Sequence, residues 1–160
     1  MSIYLYIVRH GEAEPMAAQD QLRCLTEHGC WEAKRTALWL KTQVCQFDQV
    51  YASPYVRAQQ TKNIIIEKGP DALELETVPG LTPEGDAKQI MDFILASIDV
   101  PADSEHNILC VSHMPLVSYL IGEFTGYTPI MATAGVAKIK LDIDKWQGQL
   151  DTLIAPEQML

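Results

Sequence analysis

Three short apolar runs limit what this chain can fold into. IYLYIV (3–8) is continuous, β-branched and aromatic, DQVYAS (48–53) is nearly so, and HNILCVSH (106–113) closes on a histidine. The first and third read as strands buried on both faces, because neither shows the polar alternation of a half-exposed strand. Patterns of helical period separate them. LTEHGCWEAKRTALWLKTQV starts at a candidate N-cap, Thr26, and repeats Cys30, Ala33, Ala37, Leu40 and Val44 at helical spacing. PYVRAQQTKNIIIEKG has Pro54 at its start and Gly69 as a stop. A third helix over 87–98 buries Ile90, Met91, Ile94, Leu95 and Ile98. A fourth has Pro115 in its first turn and turns Leu116, Leu120, Ile121 and Phe124 inward.

LELETVP (73–79) alternates and predicts a further strand, and GVAKIKLDI and GQLDTLIA predict a closing hairpin or edge strands. The alternation of strand and helix implies an α/β layered fold with a largely parallel sheet. Without repeats, linkers or low-complexity stretches, residues 1–160 read as one domain, ending in a frayed APEQML tail.

Ligands of such folds sit outside the carboxyl ends of the strands, where the chain places its costliest residues. Arg9, His10 and Gly11 follow the first strand. SPYVRAQQT follows the second, with Arg57 on the first turn of its helix. Ser112 and His113 follow NILCV, just before the helix at Pro115. Were these strands neighbours, two arginines and two histidines would converge beside a helix N-terminus with free N–H groups. Arginine does not ligate metals, so no metal site is expected. Guanidinium forks match phosphate or carboxylate oxygens in pairs. No G-x-x-x-x-G-K-[ST] loop is present, which excludes a P-loop nucleotide site. Two arginines, a helix N-terminus and possible imidazolium donors make a site for a dianion, most simply a phosphoryl group. A neutral imidazole is a good nucleophile near neutral pH, and flanking cations favour the neutral form. His10 could therefore attack phosphorus and carry the phosphoryl group, while Arg9, Arg57 and His113 neutralise the equatorial oxygens. Gly11 would let backbone approach the phosphate. His28 is expected exposed on its helix, and His106 in a loop.

Charge and cysteine usage narrow the partners. A formal net charge of -9 disfavours broad contact with nucleic acid or anionic membrane and suggests a soluble monomer. Cys24, Cys30, Cys45 and Cys110 form no C-x-x-C pair; three fall on apolar-side positions and read as free buried thiols in a reducing compartment. No apolar run reaches the length of a membrane span, and the N-terminus has no basic leader, so the cytoplasm is the expected location.

VRHGEA, LTEHG, VYASPYVRAQQT and ILCVSHMPLV together resemble the histidine phosphatase, or phosphoglycerate mutase-like, superfamily, from Ile3 to about Leu141. The resemblance implies a three-layer α/β/α sandwich. It also implies His10 as nucleophile, a phosphate pocket completed by Arg9, Arg57 and His113, and no cofactor. The short length and LTPEGD resemble the small bacterial phosphohistidine phosphatases that act on histidine phosphotransfer domains of two-component sensor kinases; such a phosphorylated domain is the implied partner. Larger members acting on esters carry a glutamate proton donor between the second arginine and second histidine. Here Glu84 and Asp86 lie in that segment without matching the acid position, and Glu12 is a further candidate acid; Glu12 and Glu14 could equally line the rim. A phosphohistidine leaves as imidazole, whose pKa is about 6.5, so a strong general acid is dispensable. The alternatives are a small-molecule phosphomonoesterase or mutase of the same superfamily and a non-catalytic phosphate- or partner-binding module.

Overall fold

Alternation within the first strand sets the layering. The computed structural model describes residues 2–101 and 103–159 and forms β1 from Ile3–Arg9. Leu5 and Ile7 enter one core cluster, Tyr6 and Val8 another, and all four are buried. Such a strand requires cover on both faces. After β1 come a 3-10 turn (Asp20–Leu22), α1 (Glu27–Gln43), β2 (Gln46–Ala52), α2 (Val56–Lys68) and β3 (Asp71–Thr77). Then follow α3 (Ala87–Ser97), β4 (His106–Ser112), α4 (Leu116–Thr125), β5 (Val136–Asp142) and β6 (Gln147–Ile154).

The strands pair in the order β3-β2-β4-β1-β5-β6. Those from β1 to β4 pair in parallel, while β5 runs antiparallel to β1 and β6 to β5. The sheet is thus mixed and mostly parallel. Helices α3 and α4 cover the face that carries Leu5, Ile7, Ile108 and Cys110. Helix α1 supplies Ala37 and Leu40, and α2 supplies Ala58 and Ile65, to the face that carries Tyr6, Val8, Leu109 and Val111. The three-layer α/β/α expectation holds. Thr26 caps α1 as expected, its hydroxyl accepting from Gly29 N–H. Gly69 ends α2, and α4 stops at Gly126 with φ at 87°, a left-handed cap that suits glycine.

Several expectations are corrected. Strand β3 covers 71–77 rather than 73–79, and as the sheet edge it is exposed on nearly every residue. Ile98 lies just past α3 and is only partly buried. His106 is no loop residue: it opens β4 opposite Ile3, with Nε2 2.8 Å from Gln49 Oε1. Of the four free cysteines only Cys110 is buried, and burial pushes its thiol up to about 12. Cys24 and Cys45 are exposed because they lie in loops, before α1 and between α1 and β2, and Cys30, in the first turns of α1, is intermediate. The tail does not fray through Met159. Residues Pro156–Gln158 form a 3-10 turn, Met159 is buried beside α1, and the Arg35 guanidinium donates to the carbonyls of Pro156 and Met159. No helix among the described residues is long and apolar enough to cross a membrane.

Candidate active site

Sheet register brings the three strand ends to one level. Arg9 stands opposite Ser112 across β1 and β4, and Ala52 stands opposite Val111 across β2 and β4. The pairing continues one residue past the strands, with His10 N–H donating to Ser112 C=O and Ser53 N–H to Val111 C=O, both at 3.0 Å. Arg9 and His10, Ser53, and His113 therefore emerge side by side, and α2 brings Arg57 in from its first turn. The sequence expectation that these residues converge is met geometrically.

Two partners define the protonation of His10. Its Nδ1 lies 2.7 Å from Gly11 C=O, which can only accept, so Nδ1 carries the proton. Its Nε2 lies 3.3 Å from Arg57 Nε–H, which can only donate, so Nε2 presents a lone pair. Burial lowers the His10 pKa to about 4, and Arg57, Arg9 and Arg23 add to the depression against the Gly11 hydrogen bond. Burial, rather than the flanking cations expected from the sequence, is the larger cause. His113 lies with its ring centroid 5.0 Å from that of His10 and its Nε2 2.7 Å from Ser53 Oγ. Burial, then His10 and Arg57, lower its pKa to about 3. Both histidines are neutral near pH 7.

Around them lies a cavity of about 420 Å³, lined by Arg9, His10, Glu12, Asp20, Arg23 and Arg57, with Ala13, Pro83, Met114 and Thr133. Three of the chain's twelve Lys and Arg residues line this one cavity of an acidic protein. Such a concentration of guanidinium groups suits an anion, and Glu12 and Asp20 share the cavity with it. Arg9 Nη1 donates to Met131 C=O at 2.8 Å. Burial, then the nearby Arg57, lower the Arg9 pKa, with Glu32 opposing them. Arg9 Nε and His113 Nδ1 are the buried side-chain polar atoms without a hydrogen-bond partner among the described residues. Buried polar atoms are normally satisfied, so these two unpaired nitrogens set the region apart from the rest of the fold.

Gly11 serves differently from the expectation. Its N–H donates to Thr61 Oγ1 at 3.0 Å, and a Cβ there would lie 2.6 Å from Gly29 C=O. Glycine is required because the loop crosses α1 at backbone contact, and its carbonyl orients His10. The helix that opens after His113 also closes on itself: Val117 N–H donates to His113 C=O at 2.9 Å. Of the carboxylates, Glu84 is exposed and does not line the cavity. Asp86 caps α3, accepting from Lys88 and Gln89 N–H. Neither reaches His10. Glu12 does line the cavity, and its Oε1 accepts from Thr26 Oγ1 at 2.9 Å. Glu14 is exposed and does not line the cavity.

Sequence reasoning missed several contributors. Ser53 and Thr61 lie inside VYASPYVRAQQT, and their spacing from Arg57 was a usable signal. Thr61 Oγ1 donates back to Arg57 C=O, one helical turn away. Glu32 is buried; Oε1 accepts from Glu12 N–H and Oε2 from Thr133 Oγ1, tying both cavity walls to α1. Asp20 and Arg23 fall in a loop with no periodic pattern to mark them. His28, Glu32 and Glu157 bring ligand-type atoms within 4.8 Å of one another. Both Glu32 oxygens already accept hydrogen bonds, so this group reads as part of the scaffold.

Residues 5–84 match the model of the histidine phosphatase superfamily, branch 1. The chain is 38% identical over 144 residues to phosphohistidine phosphatase SixA of Escherichia coli (strain K12), covering 86% of this chain and 85% of that one. It is 36% identical over 129 residues to a SixA homolog of Haemophilus influenzae, covering 76% and 77%. A structure of the protein histidine phosphatase SixA complexed with tungstate superposes with a TM-score of 0.86 at 31% identity, covering 96% of this chain and 97% of that one. Family match, identity and fold agree: the chain belongs to the histidine phosphatase superfamily.

Proposed function

We propose that this protein is a phosphohistidine phosphatase whose substrate is a phosphorylated histidine phosphotransfer domain of a two-component sensor kinase. The observation that carries the reading is His10 itself: a neutral imidazole whose Nε2 lone pair is aimed at Arg57, in a cavity lined by three arginines. The likeness to SixA, and the tetrahedral oxyanion held by one SixA structure, support it. The four free thiols fit a reducing compartment such as the cytoplasm.

In the proposed reaction His10 Nε2 attacks phosphorus in line. A bond forms from Nε2 to phosphorus as the phosphorus–nitrogen bond of the substrate phosphohistidine breaks. The substrate imidazole, already protonated on its other ring nitrogen, takes the bonding pair and leaves as neutral imidazole. Arg9, Arg57 and His113 hold the equatorial oxygens, where charge is greatest. Water then attacks phosphorus from the side the substrate left, His10 regains its electron pair, and inorganic phosphate departs. Imidazole is a good leaving group, so neither Glu84 nor Asp86 is needed as an acid.

A second reading, small-molecule phosphomonoesterase, draws on Glu12, whose carboxylate lines the cavity and could protonate an alkoxide. Paired assays separate the two, one on a phosphorylated phosphotransfer domain and one on p-nitrophenyl phosphate. The expected result is rapid loss of label from the protein with slow ester turnover. Fast ester hydrolysis with no dephosphorylation of the domain would reverse the assignment.

A further inference from the structure

Arg57 is buried, and one exposed residue holds two of its three nitrogens. Nη1 donates to the Asp20 carbonyl at 2.8 Å and Nη2 to Asp20 Oδ2 at 3.2 Å. The other carboxylate oxygen, Oδ1, accepts from Arg23 Nε at 2.8 Å. The Asp20 carboxylate is thus bridged between two guanidinium groups, one oxygen to each. A phosphoryl group offers the same donors the same thing: anionic oxygens in the plane of a guanidinium fork. Two groups that seek the same N–H donors compete for them.

The partners differ in mobility. Arg57 has a side-chain exposure of 3%, against 54% for Asp20. Asp20 opens a short 3-10 turn in the segment between Gly11 and Thr26, and none of the residues of that turn is buried. Burial pushes the Asp20 pKa up, but the hydrogen bonds from Arg23 and Arg57 outweigh it and keep the group ionised. A half-exposed ion pair contributes little to stability, so this carboxylate can be moved at small cost.

We propose that Asp20 is an internal competitor for the phosphoryl-binding face of Arg57. Its carboxylate sits on Arg57 and Arg23 and has to swing outward before a phosphoryl group takes Arg57 in bidentate fashion. The device sets specificity. A free phosphate dianion has only its own oxygens with which to displace Asp20 and binds weakly. A phosphoryl group on a docked protein has further contacts that supply the difference. The product phosphate, once cut from that protein, loses the advantage and is expelled as Asp20 returns.

The inference rests on reading the cavity as a phosphoryl site, and the test keeps the two apart. Inorganic phosphate is titrated into the full chain by NMR, in the wild type, Asp20→Asn, Asp20→Ala and the corresponding Arg57→Ala variants. Asparagine keeps the shape of Asp20 and an oxygen for Arg23, so the turn retains its seat. Asp20→Asn and Asp20→Ala should both bind phosphate about tenfold more tightly than the wild type, and Arg57→Ala should erase the gain. A residue that merely positions Arg57 would weaken binding when replaced. Equal or weaker binding in both Asp20 variants, with wild-type binding still dependent on Arg57, overturns the competitor and leaves the phosphoryl site standing. Phosphate binding indifferent to Arg57→Ala overturns both.

Discussion

The segment after β1, residues 11–25, and the segment after β3, residues 78–86, both reach the cavity, and both carry carboxylates. They use them in opposite ways. In 78–86 the polar groups are consumed by the fold. Val78 N–H donates to Ala52 C=O, the Leu81 carbonyl accepts from Ser112 Oγ while its side chain is buried, and Asp86 caps α3. Pro83 is what this segment shows the cavity. The 11–25 segment is clasped by the fold at its base, and farther out only the site residue Arg57 holds it, at Asp20. Ala13 bridges Leu25, Glu14 N–H donates to Cys24 C=O, and Glu12 N–H donates to Glu32. Its far end is exposed, and Glu12, Asp20 and Arg23 turn toward His10. Two loops of similar polarity thus differ in whether local backbone groups claim their side chains first. A carboxylate next to a helix start is taken by the cap; one in a loop without such neighbours is left for the site.

The largest effects should come from the floor the two loops flank. His10→Ala should abolish turnover with the protein still folded, because among the described residues no other histidine lines the cavity; steady-state assay and circular dichroism check it. Retained turnover would remove the reason to compare the loops at all. Arg57→Ala should lower turnover on the order of 10²–10³-fold, as expected when a donor to transition-state charge is lost. It should also release the 11–25 segment at Asp20. Faster hydrogen exchange confined to residues 14–23 would show that this segment, unlike 78–86, depends on the site for its order.

Acid should unfold the protein through the floor. His10 titrates at about 4 and His113 at about 3 in the folded chain, against 6.5 for an ordinary imidazole. Between these values the unfolded chain binds more protons than the folded one, so stability rises with pH. The contribution of the neutral histidines is complete above about 6.5 and is lost as pH falls, at about 1.4 kcal/mol per pH unit for each histidine. Chemical denaturation between pH 7 and pH 4.5 measures the slope. His113→Asn should flatten it, and an unchanged slope would place the acid sensitivity elsewhere. Glu32→Ala is the next step down. It leaves Glu12 N–H and Thr133 Oγ1, both only partly buried, without these acceptors, and each lost hydrogen bond costs about 1 kcal/mol. Thermal melts should show that loss, together with lower turnover from a loosened 11–25 segment.

How far the sequence reached divides along the same line. Strands, helices and the four residues at the strand ends were legible because periodicity marks buried elements, and parallel strands deliver their carboxyl ends to one edge. His10, Arg57 and His113 followed from that. The 11–25 segment was not legible. Asp20 and Arg23 have no period; Asp20 is placed by hydrogen bonds from Arg57 on a helix far along the chain, and Arg23 by its own bonds to Asp20 and the Glu14 carbonyl. Glu32 was hidden for another reason: on a helical pattern it reads as a solvated charge, and only the packing of 12 and 133 against α1 buries it. The thiols failed similarly: Cys45 falls in the loop between α1 and β2 and is exposed, and Cys30, near the start of α1, is only partly covered.

The smallest predicted effects test the comparison most directly. Asp86→Ala should cost about 1 kcal/mol of stability through the lost cap on α3, and turnover per folded molecule should stay at the wild-type level. Glu84→Gln touches no hydrogen bond and should stay within about 0.5 kcal/mol of the wild type, with activity unchanged. Glu12→Gln should move activity more than either, since its carboxylate lines the cavity and holds Thr26 Oγ1, while shifting stability little. The three variants are measured together by denaturant midpoint and by phosphotransfer-domain turnover. If Glu84→Gln or Asp86→Ala slows turnover and Glu12→Gln does not, the functional carboxylate belongs to the 78–86 segment. The division between a loop committed to the fold and a loop open to the site then fails. If stability and activity separate as stated, capping is what keeps 78–86 out of the chemistry.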